Sequence, residues 1–439
     1  MKKLLKLIII IGFFIGVCWG FNLSFRKEDP EAKQREIDEN IFGKFQTRTA
    51  EITEFYTYGK SLNISGKISN IGKDNFESVR LVISDGQAYQ KMYKMNAEIK
   101  QEELYFYSDQ EINNTIILDK LENGEYYVFL RIKLNNSVEP RYYSFASISE
   151  YQEIEYYTLT KDGTNRKANV NFKQKKYNEK KYPYMSVSLK EVIIPEDIYD
   201  IVIDAGHGGT DTGVRTGEDT EANITLEYAK LLKESLENNG FKVKLTRDDS
   251  NTESYTDKNM YDSEGRITLA CKSKAKLMIS FHINNGENDT KGFEIYAPCK
   301  SNLEFAKNIA TNIKEYSTIS YSNNLAYKKY DGVYVKNFTP NVIQEYDNTA
   351  NKKGYEPYNI TTDTPYLYTI REVGGIATNA YVDGRNKAYN TNAYHNVNYG
   401  IECYQLELGY IKNDLEIIKN EKETYIRAIT EAINDWSKE

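Results

Sequence analysis

Cysteine and histidine are both scarce in this chain, and each scarcity narrows what the molecule can be. Of four cysteines in 439 residues, three (Cys271, Cys299 and Cys403) lie outside the N-terminal apolar segment. That is an odd number without metal-ligand spacing, so no disulfide framework is implied and reduced thiols are expected. There is no basic run and the formal net charge is −7, which argues against nucleic acid as a partner. The glycine-rich turn at 206–209 has no Lys-Ser/Thr pair behind it, so it is not a phosphate loop. No internal repeats or low-complexity tracts are visible.

Only three histidines are present, and two of them end apolar runs. Ile201-Val202-Ile203-Asp204-Ala205-Gly206-His207 and Leu277-Met278-Ile279-Ser280-Phe281-His282 both read as buried strands. In open α/β sheets the chemistry collects beyond the carboxyl ends of the strands. Two strands that stop at histidine can therefore share one transition-metal ion, although a single strand-terminal histidine is more often structural. Glu221 opens an amphipathic helix whose stripe is Ile224, Tyr228, Leu231 and Leu232, with Asp219 or Thr220 as cap. An acid in a first helical turn is favoured by the helix dipole alone. Together with two histidines it makes a three-ligand set that leaves one position open for water. That is the pattern of a catalytic rather than a structural zinc site.

Five pieces then occur in order: Ile-Asp-Ala-Gly-His-Gly-Gly at 203–209, the helix start at Glu221, Leu245-Thr246-Arg247-Asp248, Ile279-Ser280-Phe281-His282-Ile283-Asn284, and Glu407-Leu408-Gly409-Tyr410-Ile411-Lys412-Asn413. In this set, from about residue 198 to the end, the chain resembles the zinc-dependent N-acetylmuramoyl-L-alanine amidases of bacterial cell walls. Gly292-Phe293-Glu294-Ile295-Tyr296 also resembles the strand that follows the second histidine in that family, and Ala205 stands where the family often has proline. The resemblance implies that His207, Glu221 and His282 hold Zn2+ and that Glu407 is the catalytic carboxylate. It implies hydrolysis of the bond between N-acetylmuramic acid and L-alanine in peptidoglycan. The alternatives are a zinc peptidase acting within the stem peptide and a non-catalytic wall-binding or activator protein. The last is disfavoured because all four expected catalytic positions are filled.

Glu407 follows the apolar run Tyr404-Gln405-Leu406 and so falls at the same sheet edge as the two histidines, whereas Glu402 starts that strand at the opposite edge. Asp204, Asn284 and Arg247 are candidate supporting or substrate groups. Asp204 and Asn284 would orient a ligand or the turn. Arg247, like Arg266, would bind acidic peptide groups or form a structural ion pair, the plainer reading. His395 is read as a solvated loop residue.

The expected fold is an α/β catalytic domain with a mostly parallel twisted sheet flanked by helices, preceded by an all-β sandwich-like domain and an N-terminal membrane segment. Residues 1–25 read as a signal anchor or signal peptide, 26–45 as a linker, 46–195 as the β domain and 196–439 as the catalytic domain. Lys2, Lys3 and Lys6 precede an apolar run whose end holds bulky Trp19, Phe21 and Phe25 and no small-residue cleavage site, which favours an uncleaved anchor. The β domain rests on period-two runs such as 62–68, 79–83 and 126–134, with strand-like pieces beyond Ile148. Leu121-x-x-Gly124-x-Tyr126 resembles the tyrosine corner of immunoglobulin-like sandwiches. This domain is either a wall- or partner-binding module or a spacer. Catalytic strands are expected near 199–204, 241–246, 276–282, 292–297, 366–371 and 401–407, and helices near 221–239, 264–274, 302–316 and 420–436. Residues 316–363, polar and without clear period, are either a cover over the substrate groove or a peripheral decoration. The expected partners are peptidoglycan, the membrane through the N-terminal segment, and a protein regulator acting through the β domain or the 316–363 insert. The expected place is extracytoplasmic, membrane-anchored or secreted if the segment is cleaved, in a Gram-positive wall.

Overall fold

Alternating apolar positions dominate the first part of the chain, and in the computed structural model they build two facing sheets. The structure describes residues 29–439 except 70, 72–75, 110–113, 148–152, 162, 164, 249–264, 300, 355–356, 358 and 375–399. The N-terminal apolar segment and His395 lie outside the described residues. Among the described residues no helix is long and apolar enough to cross a membrane.

One sheet runs Phe145–Ser147, Ala50–Tyr58, Ser61–Ile68, Glu103–Tyr107, Asn96–Lys100; the other runs Ile154–Tyr157, Arg166–Tyr177, Lys180–Glu191, Gly124–Leu134, Phe76–Ser84, Gln90–Lys94. Ile52, Leu62 and Ile64 of the first face Leu81, Val128, Leu130, Val170 and Val187 of the second in one buried core. The Tyr126 hydroxyl donates to the Glu122 carbonyl at 3.0 Å, the bond that defines a tyrosine corner. The strand-like pieces beyond Ile148 belong to the sandwich. It continues through the long hairpin to Glu191, where Lys173, Lys175 and Lys176 interrupt the apolar pattern. Part of the expected linker is also ordered. Asp29 caps a helix over Pro30–Phe42, and Ile41 and Phe42 bury against Val82, Tyr127, Phe129, Tyr182 and Tyr184 on the outer face of the second sheet.

The remaining sheet has seven strands: β1 (Ile201–Ala205), β2 (Val243–Leu245), β3 (Leu277–Asn284), β4 (Glu294–Tyr296), β5 (Lys328–Tyr330), β6 (Val333–Tyr334) and β7 (Glu402–Tyr410), in the spatial order β2-β1-β3-β7-β4-β6-β5. From β2 to β7 the pairing is parallel; β4 is antiparallel to β7, parallel to β6, and β5 closes the edge antiparallel. Helices α1 (Glu221–Asn238), α3 (Glu304–Tyr316) and α6 (Lys422–Lys438) cover one face, burying Tyr228, Leu232, Ile309, Ile429 and Ile433 on Ile201, Ile203, Ile279, Tyr404 and Leu406. Helices α2 (Arg266–Lys272) and α5 (Tyr368–Val373) cover the other, on Val202, Met278 and Cys403. Every residue of β7 is buried.

Two segments differ from expectation. Residues 366–371 were expected as a strand but lie mainly in helix α5, because Leu367, Ile370 and Val373 recur every third position and pack together on the sheet. The insert at 316–363 supplies β5, β6 and helix α4 (Pro340–Lys353), with a small core of Phe338, Ala350 and Ile360.

The sandwich docks at the amino ends of the central strands. The Gly59 N–H donates to the Gly400 carbonyl at 2.7 Å, and Thr160 N–H to Asp200 Oδ1 at 3.0 Å. Lys60 Nζ donates to the Trp436 carbonyl. Gly400 has φ +60° and a Cβ there would stand 1.6 Å from the Thr57 carbonyl oxygen, so this seam closes only over glycine.

Candidate active site

The site is built at the opposite, carboxyl edge of the same strands. Side chains on β1, β3, β7 and β4 alternate between faces, and register places Asp204, Ser280, Gln405 and Tyr296 in one row. The next row is His282, Glu407 and Glu294, with His282 opposite Glu407 and Glu407 opposite Glu294. His207 reaches this edge from the turn after β1, with φ +61°. Gly206 permits the approach of the two imidazoles: a Cβ at that position would lie 2.5 Å from His282 Cε1. Their ring centroids are 5.1 Å apart.

Glu221 is the first residue of α1, whose cap Thr220 accepts from the Asn223 N–H. Its Oε1 lies 3.1 Å from His207 Nε2 and 3.1 Å from His282 Nδ1, and accepts from the Ile283 N–H at 2.8 Å. Its Oε2 accepts from the Val214 N–H at 3.0 Å. One ligand atom from each of His207, Glu221 and His282 falls within 4.8 Å of the others, so the three could hold one metal ion. Glu221 is buried, whereas the His207 side chain remains 25% exposed, which leaves the cluster open to solvent on that side.

The electrostatics fit a cation. Burial opposes charge on His207, but the hydrogen bonds and charges of Glu221 and Asp211 outweigh it and push its pKa up to about 9. Burial works against charge on Glu221 as well, yet the two imidazoles hold it well below the usual carboxylate range. A proton shared in such a cluster is what a metal ion displaces on binding. Behind His207, Asp211 Oδ2 lies 2.7 Å from Nδ1 and leaves Nε2 toward Glu221. A carboxylate behind a ligating imidazole is a recurrent support for metal ligation.

The other candidates fall into supporting places. Asp204 accepts from Thr246 Oγ1 and Ser280 Oγ at 2.7 Å and from Arg266 at 3.0 Å, and Arg266 in turn donates to the His207 carbonyl at 2.9 Å. Asp204 thus steadies the turn rather than touching an imidazole. Arg247 is buried and donates to the carbonyls of Ala205, Gly206 and Ala222, tying the turn to the start of α1. The Asn284 carbonyl accepts from the Ile411 N–H, and among the described residues its side-chain nitrogen has no hydrogen-bond partner, His282 included. Glu402, at the seam, is remote from the cluster.

Glu407 is buried, and that burial pushes its pKa up to about 7. Gln405 Nε2 donates to its Oε1 at 2.8 Å. Sequence reasoning missed Asp211, Gln405 and Glu294. Glu294 accepts from Ser322, Asn324 and Tyr410 on one oxygen and from Tyr296 on the other.

Residues 201–435 match the family described as N-acetylmuramoyl-L-alanine amidase. Among curated relatives, the germination-specific N-acetylmuramoyl-L-alanine amidase of Bacillus subtilis (strain 168) is 34% identical over 90 residues, 19% of this chain and 38% of that protein. The endolysin of Bacillus phage SPP1 is 36% identical over 100 residues, 23% of this chain and 34% of that protein. The chain thus spans well under half the length of these two relatives. Among solved structures, the CwlD amidase from Clostridioides difficile in complex with the GerS lipoprotein is 21% identical, over 54% of this chain and 98% of that one, with a TM-score of 0.34. AmiC2 of Nostoc punctiforme is 19% identical over 55% of this chain and 98% of that one, with a TM-score of 0.35. The family match covers more than half of the sequence, and the chain belongs to the N-acetylmuramoyl-L-alanine amidase family.

Proposed function

We propose that this chain is a zinc-dependent amidase that cleaves the bond between N-acetylmuramic acid and the L-alanine of the peptidoglycan stem peptide. The observation that carries the reading is the convergence of two imidazoles and a carboxylate at one strand edge, with Glu407 opposite His282 in the ladder. Two histidines and one acid, with Asp211 behind His207, are a donor set that suits zinc with a position left open. Zinc held by His207, Glu221 and His282 would supply a Lewis acid for the scissile carbonyl and acidify water.

The chain's own part is proton handling. Amide hydrolysis takes a proton from the attacking water and must return one to the departing nitrogen. Glu407, with a pKa of about 7, is matched to both transfers near neutral pH. Such a substrate lies outside the cytoplasm, and the basic, then apolar N-terminal segment supports export with either anchoring or secretion. Residues 46–195 and 196–439 are the two domains of this reading, and the sandwich and the 316–363 insert are its surfaces for wall or regulator.

Mass spectrometry of digested peptidoglycan tests the bond. New L-alanine amino termini without new reducing ends are expected; cleavage between amino acids makes the enzyme a peptidase. Glu407→Gln should retain zinc while losing rate by at least ~10²-fold, and loss of the metal in that variant would make Glu407 a ligand instead.

A further inference from the structure

Gln405 and Glu407 are two residues apart on β7, so their side chains leave the same face of the strand. Gln405 Nε2 donates to Glu407 Oε1 at 2.8 Å, and Gln405 Oε1 accepts from Thr369 Oγ1 of α5 at 3.3 Å. All three residues are buried, with relative exposures of 7%, 7% and 0% for Gln405, Glu407 and Thr369. The chain of contacts has a direction. An ionised carboxylate can only accept, so it draws the amide nitrogen of Gln405 toward itself and leaves the amide oxygen to accept from the Thr369 hydroxyl. Across the ladder Glu407 has Glu294 on one side, a carboxylate already accepting from four side chains, and His282 on the other, whose Nδ1 is turned to Glu221. Among the described residues the hydrogen bond on the Glu407 carboxylate comes from Gln405, whose own amide is held from the α5 side.

We propose that Gln405, held by Thr369, is the positioning residue of Glu407: it pins Oε1 so that Oε2 is the oxygen that exchanges protons with water and leaving group. This rests on the reading of Glu407 as the base. A buried carboxylate turned about its last bond would present its oxygens at the wrong angle, and misplacement of a catalytic group by a fraction of an ångström is felt in rate rather than in binding.

The experiment is a double-mutant cycle on the full chain, read as kcat, KM and bound zinc on peptidoglycan. Gln405→Leu should lower kcat by about tenfold to a hundredfold, the worth of one hydrogen bond to a charged group, with KM and zinc content unchanged. In a Glu407→Gln background the same substitution should cost nothing further, because the group it positions is gone. Thr369→Val, which leaves Gln405 in place, should give a smaller loss of kcat in the same direction, and it stands in should Gln405→Leu fail to fold. Wild-type kcat in both Gln405→Leu and Thr369→Val, or an equal fold-loss in both backgrounds, overturns the proposal. Wild-type kcat in Glu407→Gln alone overturns the base reading itself and the positioning role with it.

Discussion

Asp211 stands behind Nδ1 of His207 and so leaves Nε2 turned to Glu221. His207 is held in a left-handed backbone conformation, with its carbonyl tied to Arg266, so the imidazole is fixed from both its ring and its main chain. Asp211→Asn should weaken zinc affinity by about 10- to 100-fold with little change in thermal stability, as measured by competition with a chelator. Removing a donor is more severe. Wild type should bind about one zinc per chain, and His207→Ala or His282→Ala should lose both metal and activity. Full zinc occupancy in the double variant would show that the ligands lie elsewhere. Both histidines could be read from sequence because they end apolar runs. Asp211 could not, because it sits in a turn with no period, where proximity to His207 Nδ1 is a product of the folded loop.

At the scale of elements, the insert turns out to be part of the sheet. Ser322 and Asn324 both donate to the buried Glu294 from the segment leading into β5. Ser322→Ala should destabilise the protein by about 1 kcal/mol, the worth of one net hydrogen bond, since Asn324 and Tyr410 still donate to the same oxygen, without reducing bound zinc. An unchanged denaturation midpoint would mean that Glu294 finds another donor. Helix α4 carried legible stop and start signals, Thr339 as cap, Pro340 in the first turn and a left-handed Gly354 after the last. Its apolar stripe is only Val342, Ile343, Tyr346 and Ala350, too sparse to stand out among polar neighbours. Helix α5 misleads for the opposite reason. Tyr366 to Ile370 is rich in strand-favouring residues, and packing on β7 and α2 overrides local preference. The parallel core strands, by contrast, are continuous apolar runs buried on both faces, and these read plainly.

Across the whole molecule, the seam between sandwich and catalytic sheet buries a titratable group. Glu402, 4% exposed, accepts from the Tyr404 hydroxyl, and burial pushes its pKa up to about 7 from a reference of 4.5. A carboxyl raised in this way favours the folded state below its unfolded value and loses that advantage as pH climbs through the folded one. Stability should therefore fall between about pH 4.5 and 7 by something on the order of 3 kcal/mol from this residue. Glu402→Gln should stabilise the protein at pH 8 and change little at pH 4.5, read from denaturant midpoints at both. An equal effect at the two pH values would place the penalty elsewhere. The strand that begins at this seam is the one that ends at the site: β7 runs without an exposed residue from Glu402 through Glu407. A hydrogen-bonded strand is stiff along its length, so whatever tilts its root carries its tip along. The sandwich is thus less a handle than a foundation. To cut it away would be to let the footing of Glu407 settle, and through the ladder that joins β7 to β3 the footing of His282 would settle with it.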